Sequence, residues 1–132
     1  ADTVLITKMK KQVSIWNINS FAEFFMQIFP KYRKDYELAC EQFIKTRADF
    51  ELELKKIPYI KVMPSQANYF FLEVLPPYKP KELCSTLLKE YNILASACLA
   101  KKGIEFNKYM RIAVRNHGDN LKFIEAMRSL IK

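Results

Sequence analysis

The sequence predicts an α+β sandwich: a small antiparallel-rich sheet with helices packed on it, preceded by a long helix. Three observations carry that prediction. Residues 109–115 alternate, with Met110, Ile112 and Val114 pointing one way and Tyr109, Arg111, Ala113 and Arg115 the other. That is the period of a strand with one buried face. Tyr59–Met63 and Tyr69–Val74 flank Pro64-Ser65-Gln66-Ala67-Asn68, so the two runs read as an antiparallel hairpin. Finally, Tyr36, Ala39, Phe43, Phe50, Leu54 and Ile57 recur at helical spacing with charged residues between them. They mark a helix over Lys31–Lys56, long enough for a spine joining two bodies.

The remaining elements follow in order. Residues 1–13 read as a short apolar strand or helix end running into Lys8-Met9-Lys10-Lys11. Asn and Ser at 17–20 are suited to capping, and Phe21, Phe24, Phe25 and Ile28 share a stripe, so a helix spans about 20–29. Pro30 is expected to stop or kink it. Pro58 ends the long helix. After the hairpin and a proline-rich loop, a helix runs about Pro80–Tyr91 with Leu83, Leu87 and Leu88 inward. Asn92–Cys98 reads as a short strand and Leu99–Asn107 as a polar loop. The strand at 108–115 precedes a last helix over Asp119–Ile131, with Leu121, Ile124, Met127 and Ile131 inward and Asp119 at the favourable end of the helix dipole.

The totals narrow the function classes. The chain has 132 residues, 50% of them hydrophobic, which is one domain's length with material for a core. Two glycines leave no room for a glycine-rich phosphate loop. A net charge of +8 permits nucleic-acid or anionic-metabolite partners. The basic residues are spread along helix faces, however, so nucleic acid is not the favoured partner. Cys40, Cys84 and Cys98 have no paired spacing and His117 is the only histidine, which supports neither a metal site nor a Cys/His catalytic pair. Unpaired thiols suit a reducing, cytoplasmic setting. No apolar run approaches a membrane span. The chain starts mid-stride at Ala1, as if cut from something longer.

Arg111 is the strongest candidate site residue. A guanidinium in the middle of an apolar strand cannot shed its charge and is costly to bury unless it meets an anion. An internal salt bridge or a snorkelling side chain would answer that need, and so would a two-pronged hydrogen bond to a ligand carboxylate. Arg115 is either a second anion contact or the solvated end of its strand. Asn17 and Asn19 are candidates for substrate contact or for helix capping, and Trp16 for a packing anchor or a substrate wall. Asn68 either closes its own turn through an Asx-type bond or lines a site. His117, in a polar turn before the last helix, is expected to be exposed and inert.

Three stretches together resemble the C-terminal small domain of fold-type I, pyridoxal-phosphate-dependent aminotransferases, in the histidinol-phosphate aminotransferase and threonine-phosphate decarboxylase branch. Trp16-Asn17-Ile18-Asn19-Ser20-Phe21-Ala22 resembles the segment that leads into the small domain. Pro64-Ser65-Gln66-Ala67-Asn68-Tyr69-Phe70 resembles the Pro-Ser-x-Ala-Asn-Phe hairpin, and Tyr109–Arg115 with Asn120 resembles the terminal Leu-Arg-Ile strand and the helix after it. The resemblance implies that residues 1–19 lead in from a large domain and that 20–132 form the small domain. It implies that Arg111 binds the α-carboxylate of an amino-acid or 2-oxo-acid substrate, with Asn17, Asn19, Asn68 and Arg115 as further lining candidates. It also implies a dimeric parent enzyme that uses pyridoxal phosphate for transamination or decarboxylation.

Two departures matter. Where the branch often reads Ile-x-x-Arg-Asp-Cys, this chain has Ile93-Leu94-Ala95-Ser96-Ala97-Cys98. A phosphorylated substrate is therefore expected only if Arg115 or the Lys101-Lys102 pair compensates. The Ser-Lys-x-x-Gly-type motif that carries the catalytic lysine is absent. The fragment is thus expected to hold no catalytic residue, to bind no cofactor alone and to be inactive by itself. The competing expectation is a non-catalytic basic module that binds RNA or an acidic partner.

Overall fold

The computed structural model describes residues 2–12, 18–99, 103, 105 and 107–131. Among these residues there are four helices and four strands. They are α1 (Thr3–Gln12), α2 (Ser20–Leu54), β1 (Ile60–Val62), β2 (Tyr69–Val74), α3 (Pro80–Tyr91), β3 (Ser96–Ala97), β4 (Tyr109–Ala113) and α4 (His117–Ser129). The fold is α+β, as the alternating and helical periods require. The chain divides into two compact units, Ala1–Cys40 and Glu41–Lys132.

In the first unit, residues 3–12 form a helix where the sequence left strand or helix end open. The Asp2 carboxylate accepts from the Val4 N–H at 2.8 Å and so caps it. None of the residues of α1 is buried. Helix α2 opens on Asn19, whose side-chain oxygen accepts from the Ala22 N–H at 2.9 Å. It then runs through Pro30, so the helix does not stop at that residue. A proline forfeits one ladder bond and crowds the preceding turn, while helix former and aromatic contacts persist on both sides. Phe29 meets Phe25 at 5.6 Å and Tyr36 at 5.3 Å between ring centroids. Phe21, Phe24 and Phe25 of the expected stripe are all exposed, and so is Tyr36.

The second unit is built on a sheet of order β1-β2-β4-β3 with every pair antiparallel. Its register sets Phe70 opposite Ile112 and Leu72 opposite Met110, which gathers the even-numbered apolar residues on one face. Phe50 and Leu54 of α2, Leu83 and Leu87 of α3, and Phe123, Ile124 and Met127 of α4 cover that face. Phe50 presents its ring edge-on to both Phe70 (5.9 Å) and Phe123 (6.0 Å), tying the sheet to two helices.

Several boundaries differ from the sequence reading. The strand expected over 92–98 is only Ser96–Ala97, because Asn92 adopts a left-handed conformation (φ 56°) to end α3. The Ile93 N–H then returns to the Leu87 carbonyl at 2.9 Å, closing the helix and delaying the strand. Helix α4 starts at His117, since Asn116 caps it by accepting from the Asp119 N–H at 2.8 Å. With Asn120, Phe123, Ile124 and Met127 inward, Leu121 falls about 100° off the buried stripe, and it is exposed. Ile131 lies past the helix end and Leu88 on the outer side of α3; both are exposed as well.

The C-terminal carbonyls of α4, which a helix leaves without internal partners, are met by tyrosines. The Tyr59 hydroxyl donates to the Met127 carbonyl at 2.5 Å and the Tyr78 hydroxyl to Leu130 at 3.0 Å, while the two rings stack at 4.0 Å. Burial, and then the neighbouring Tyr78 and Tyr91, push the Tyr59 pKa above the ordinary tyrosine range. Because the folded state holds this proton more tightly, its contribution is complete below about pH 10 and is lost as pH rises beyond it. Urea titrations should therefore find the unfolding free energy falling by up to about 1.4 kcal/mol more per pH unit above pH 10 than in Tyr59→Phe. At pH 7 the same variant should be less stable by about 1 kcal/mol.

Candidate functional site

The odd-numbered residues of β2 and β4 form the other face of the sheet. Tyr69, Phe71 and Glu73 stand beside Tyr109, Arg111 and Ala113, with burial alternating along both strands. Arg111 lies in the middle, with Phe71 as its Cα partner on one side and Ser96 on the other. Phe71 and Tyr109 stack on each other at 4.8 Å. The Arg111 guanidinium carbon sits over the Tyr69 ring, 5.1 Å from its centroid.

Three cations stand on this face: Lys61, exposed and cross-strand from Glu73, together with Lys108 and Arg111, and the partners of the last two differ. The Lys108 ammonium pairs with Glu105 at 2.8 Å and Glu73 at 3.3 Å. Glu105 and then Glu73 hold its pKa above the usual lysine range. Arg111 has no carboxylate partner among the described residues. It is also exposed, so the desolvation cost that the sequence argument assigned to it is not incurred within this chain. Among the described residues, Arg111 is left as an uncompensated, accessible charge.

The other candidates take different places. Arg115 donates from Nε to the Asp119 carboxylate at 3.0 Å, so its charge is already answered. Asn19 serves as the α2 cap described above. Asn68 is exposed, and its carbonyl accepts from the Val114 N–H at 2.9 Å. The expected Asx bond is not what closes its turn: Ser65 Oγ accepts from the Ala67 N–H at 3.1 Å and donates to the Tyr69 carbonyl at 2.6 Å. His117 is exposed as expected, but it forms the first residue of α4 and not the turn before it. Asn17 and Trp16, and the lysines at 101 and 102, lie outside the described residues. Ser96 and Ala97 form β3, and Ser96 shares a face with Arg111 as its cross-strand neighbour.

Arg47, which sequence reasoning passed over, and Asn120, which it named only within the family resemblance, hold the face in place. Arg47 donates from Nη1 to the carbonyls of Gln66 (2.5 Å) and Ala67 (3.4 Å), binding the 64–68 turn to α2. Asn120, 6% exposed, accepts from the Arg115 N–H and donates to the Arg115 carbonyl, both at 2.9 Å. It thereby locks the exit of β4 to the first turn of α4. A buried asparagine on an otherwise apolar helix stripe was the available signal. A separate cleft of about 740 Å³, lined in part by Phe50, Ile93, Ile112, Arg115 and Phe123, opens beyond this joint. Burial and then Cys98 push the Cys84 thiol up to about 11, which leaves it a poor nucleophile.

The model of one family, aminotransferase class I and II, matches residues 12–127. The chain belongs to that family. Among class I and II relatives, it is 33% identical over 120 residues to an L-serine phosphate decarboxylase of Sulfurospirillum multivorans, covering 89% of this chain and 30% of that protein. A solved decarboxylase structure from Sulfurospirillum multivorans superposes with a TM-score of 0.84 at 32% identity, covering 99% of this chain and 37% of the other. The histidinol-phosphate aminotransferase from Clostridium acetobutylicum superposes with a TM-score of 0.80 at 28% identity, covering 98% and 38%. The chain thus spans less than two fifths of the length of each of these relatives. No helix among the described residues is long and apolar enough to cross a membrane.

Asn120→Ala would leave both backbone groups of Arg115 without these partners. Urea denaturation should show a loss of roughly 1–3 kcal/mol. The exposed cap variant Asn116→Ala should cost only about 1 kcal/mol.

Proposed function

We propose that this chain is the substrate-carboxylate-binding small domain of a pyridoxal-phosphate-dependent class I and II enzyme. In this reading residues 20–132 form the small domain and 1–19 lead in from a large domain. The observation that carries it is Arg111: a guanidinium central on the open sheet face, without a carboxylate partner among the described residues, in a chain of this family. A planar fork of N–H donors matches a carboxylate in two places at once. It would fix the carboxylate end of an amino acid or 2-oxo acid and so orient the bonds at its Cα. Positioning of this kind contributes about 7–11 kcal/mol in the best intramolecular systems.

Pyridoxal phosphate would supply the electron sink that makes a Cα bond breakable. The lysine that would hold it does not fit any described position. Every described lysine is exposed except Lys108, which is half-buried and tied to two glutamates. A Schiff-base lysine needs a lowered pKa, and Lys108 has a raised one. In this reading the cofactor and its lysine belong to the large domain of a homodimeric, cytoplasmic parent enzyme, and the chain alone is inactive. Decarboxylation and transamination are both compatible with Arg111. Ser96 adds no second cation beside it, and Arg115 is engaged by Asp119, so the support for a distal phosphate is weaker than for the carboxylate. The basic-module reading draws on the net charge of +8. It has less support, because Lys108 is neutralised and the Phe71 and Tyr109 rings are stacked on each other.

The test uses the full-length polypeptide that carries this chain. It should show the visible absorbance of lysine-bound pyridoxal phosphate, lost when an upstream lysine is replaced by alanine. Arg111→Ala should retain that absorbance and lower kcat/KM by about 30-fold or more, the equivalent of losing roughly 2–5 kcal/mol of paired charge. Unchanged kcat/KM in Arg111→Ala would remove the carboxylate reading.

A further inference from the structure

We propose that Tyr69 is a positioning residue for Arg111, holding its guanidinium where a substrate carboxylate is received; this rests on the carboxylate-binding reading of Arg111. An exposed arginine on a flat sheet face has several rotamers to choose from. Here the choices are reduced. The Phe71–Tyr109 stack fills the space on one side, and Tyr69 lies under the guanidinium on the other. Tyr69 is the cross-strand partner of Ala113, whose small side chain leaves the diagonal open between the Tyr69 ring and Arg111.

The choice of an aromatic neighbour has a chemical consequence. A ring attracts a guanidinium through its quadrupole without neutralising it. A carboxylate in the same place would occupy the fork and cancel the charge, as Glu73 and Glu105 do for Lys108. Tyr69 therefore restrains Arg111 while leaving its charge available to a ligand. The ring is itself mounted on a tethered strand start. The Tyr69 carbonyl accepts from Ser65 Oγ at 2.6 Å, and Arg47 clamps the turn just before it. The hydroxyl of Tyr69 has no part in the restraint, so phenylalanine should serve equally well.

The contact and its functional effect are read separately. In NMR spectra of the 132-residue chain, the Arg111 Nε–Hε signal, assigned by its loss in Arg111→Lys, should be displaced by the Tyr69 ring current. Tyr69→Phe should keep that displacement and Tyr69→Leu should abolish it, with the backbone spectrum reporting that both variants fold. An Arg111 signal unmoved by Tyr69→Leu overturns the proposal. In the full-length polypeptide, with O-phospho-L-serine as the probe, Tyr69→Leu should raise KM roughly three- to thirtyfold, while Tyr69→Phe matches the wild type. In an Arg111→Ala background, Tyr69→Leu should add nothing further. If Arg111→Ala raises KM but Tyr69→Leu costs the same in both backgrounds, positioning fails and the carboxylate reading stands. If Arg111→Ala leaves KM unchanged, the carboxylate reading fails, and an NMR displacement would then describe a contact without this role.

Discussion

The antiparallel register between β2 and β4 is the constraint on which the rest of this structure depends. It pairs Phe70 with Ile112 and Phe71 with Arg111. Side chains alternate with a period of two, so a slip of one residue would send Arg111 into the core and Ile112 to the surface. Both errors are expensive, and the apolar and charged residues of β4 therefore enforce the same register from opposite faces. Phe50 adds to this by touching Phe70 and Phe123 at once, since its edge-on geometry exists only when the Phe70 side of the sheet faces the helices.

The ends of β4 and its neighbours are held by hydrogen bonds to backbone as well as by apolar packing, with Val114 and Val74 in the core. Asn120 ties the strand exit to α4, Arg47 ties the turn before β2 to α2, and the tyrosines receive the last carbonyls of α4. The tyrosine contacts join residues far apart in sequence, such as Tyr59 and Met127. They place rigid supports around a face that is itself open. A sheet face carrying aromatics and one uncompensated guanidinium can stay accessible because its orientation is decided elsewhere.

What was legible in the sequence follows from where the determining physics is local. The alternation at 109–115, the bounds Pro80–Tyr91 of α3 and the hairpin over 59–74 are period and turn signals, and the elements appear where those signals put them. The family resemblance rested on three short stretches in order and agrees with the class I and II match over residues 12–127. The failures are tertiary or cap effects. Asn92 shortened β3 by taking a left-handed conformation that no periodicity reveals. Asn116 moved the start of α4, and packing on the sheet chose a buried stripe of Asn120, Phe123, Ile124 and Met127. Pro30 was absorbed by a helix supported on both sides. At Arg111 the position and face were readable from alternation, but its burial was inferred from strand context, and the strand's outer face is open.

That openness bears on how much an arginine in this position can achieve. Two unit charges 4 Å apart attract by about 1 kcal/mol in bulk water and about 4 kcal/mol at the effective dielectric near a protein surface. An accessible Arg111 on this chain would therefore hold a small carboxylate only feebly, however well its fork is aimed. Covering the sheet face with a second body would exclude water, strengthen the same pair several-fold and add the remaining contacts to the substrate. The relatives described above have more than three fifths of their length outside the matched region, which is room for such a body. An exposed guanidinium restrained by a ring suits that division of labour. It would cost the isolated chain little, keep its charge unspent, and develop its full attraction only if the face were closed over a bound anion.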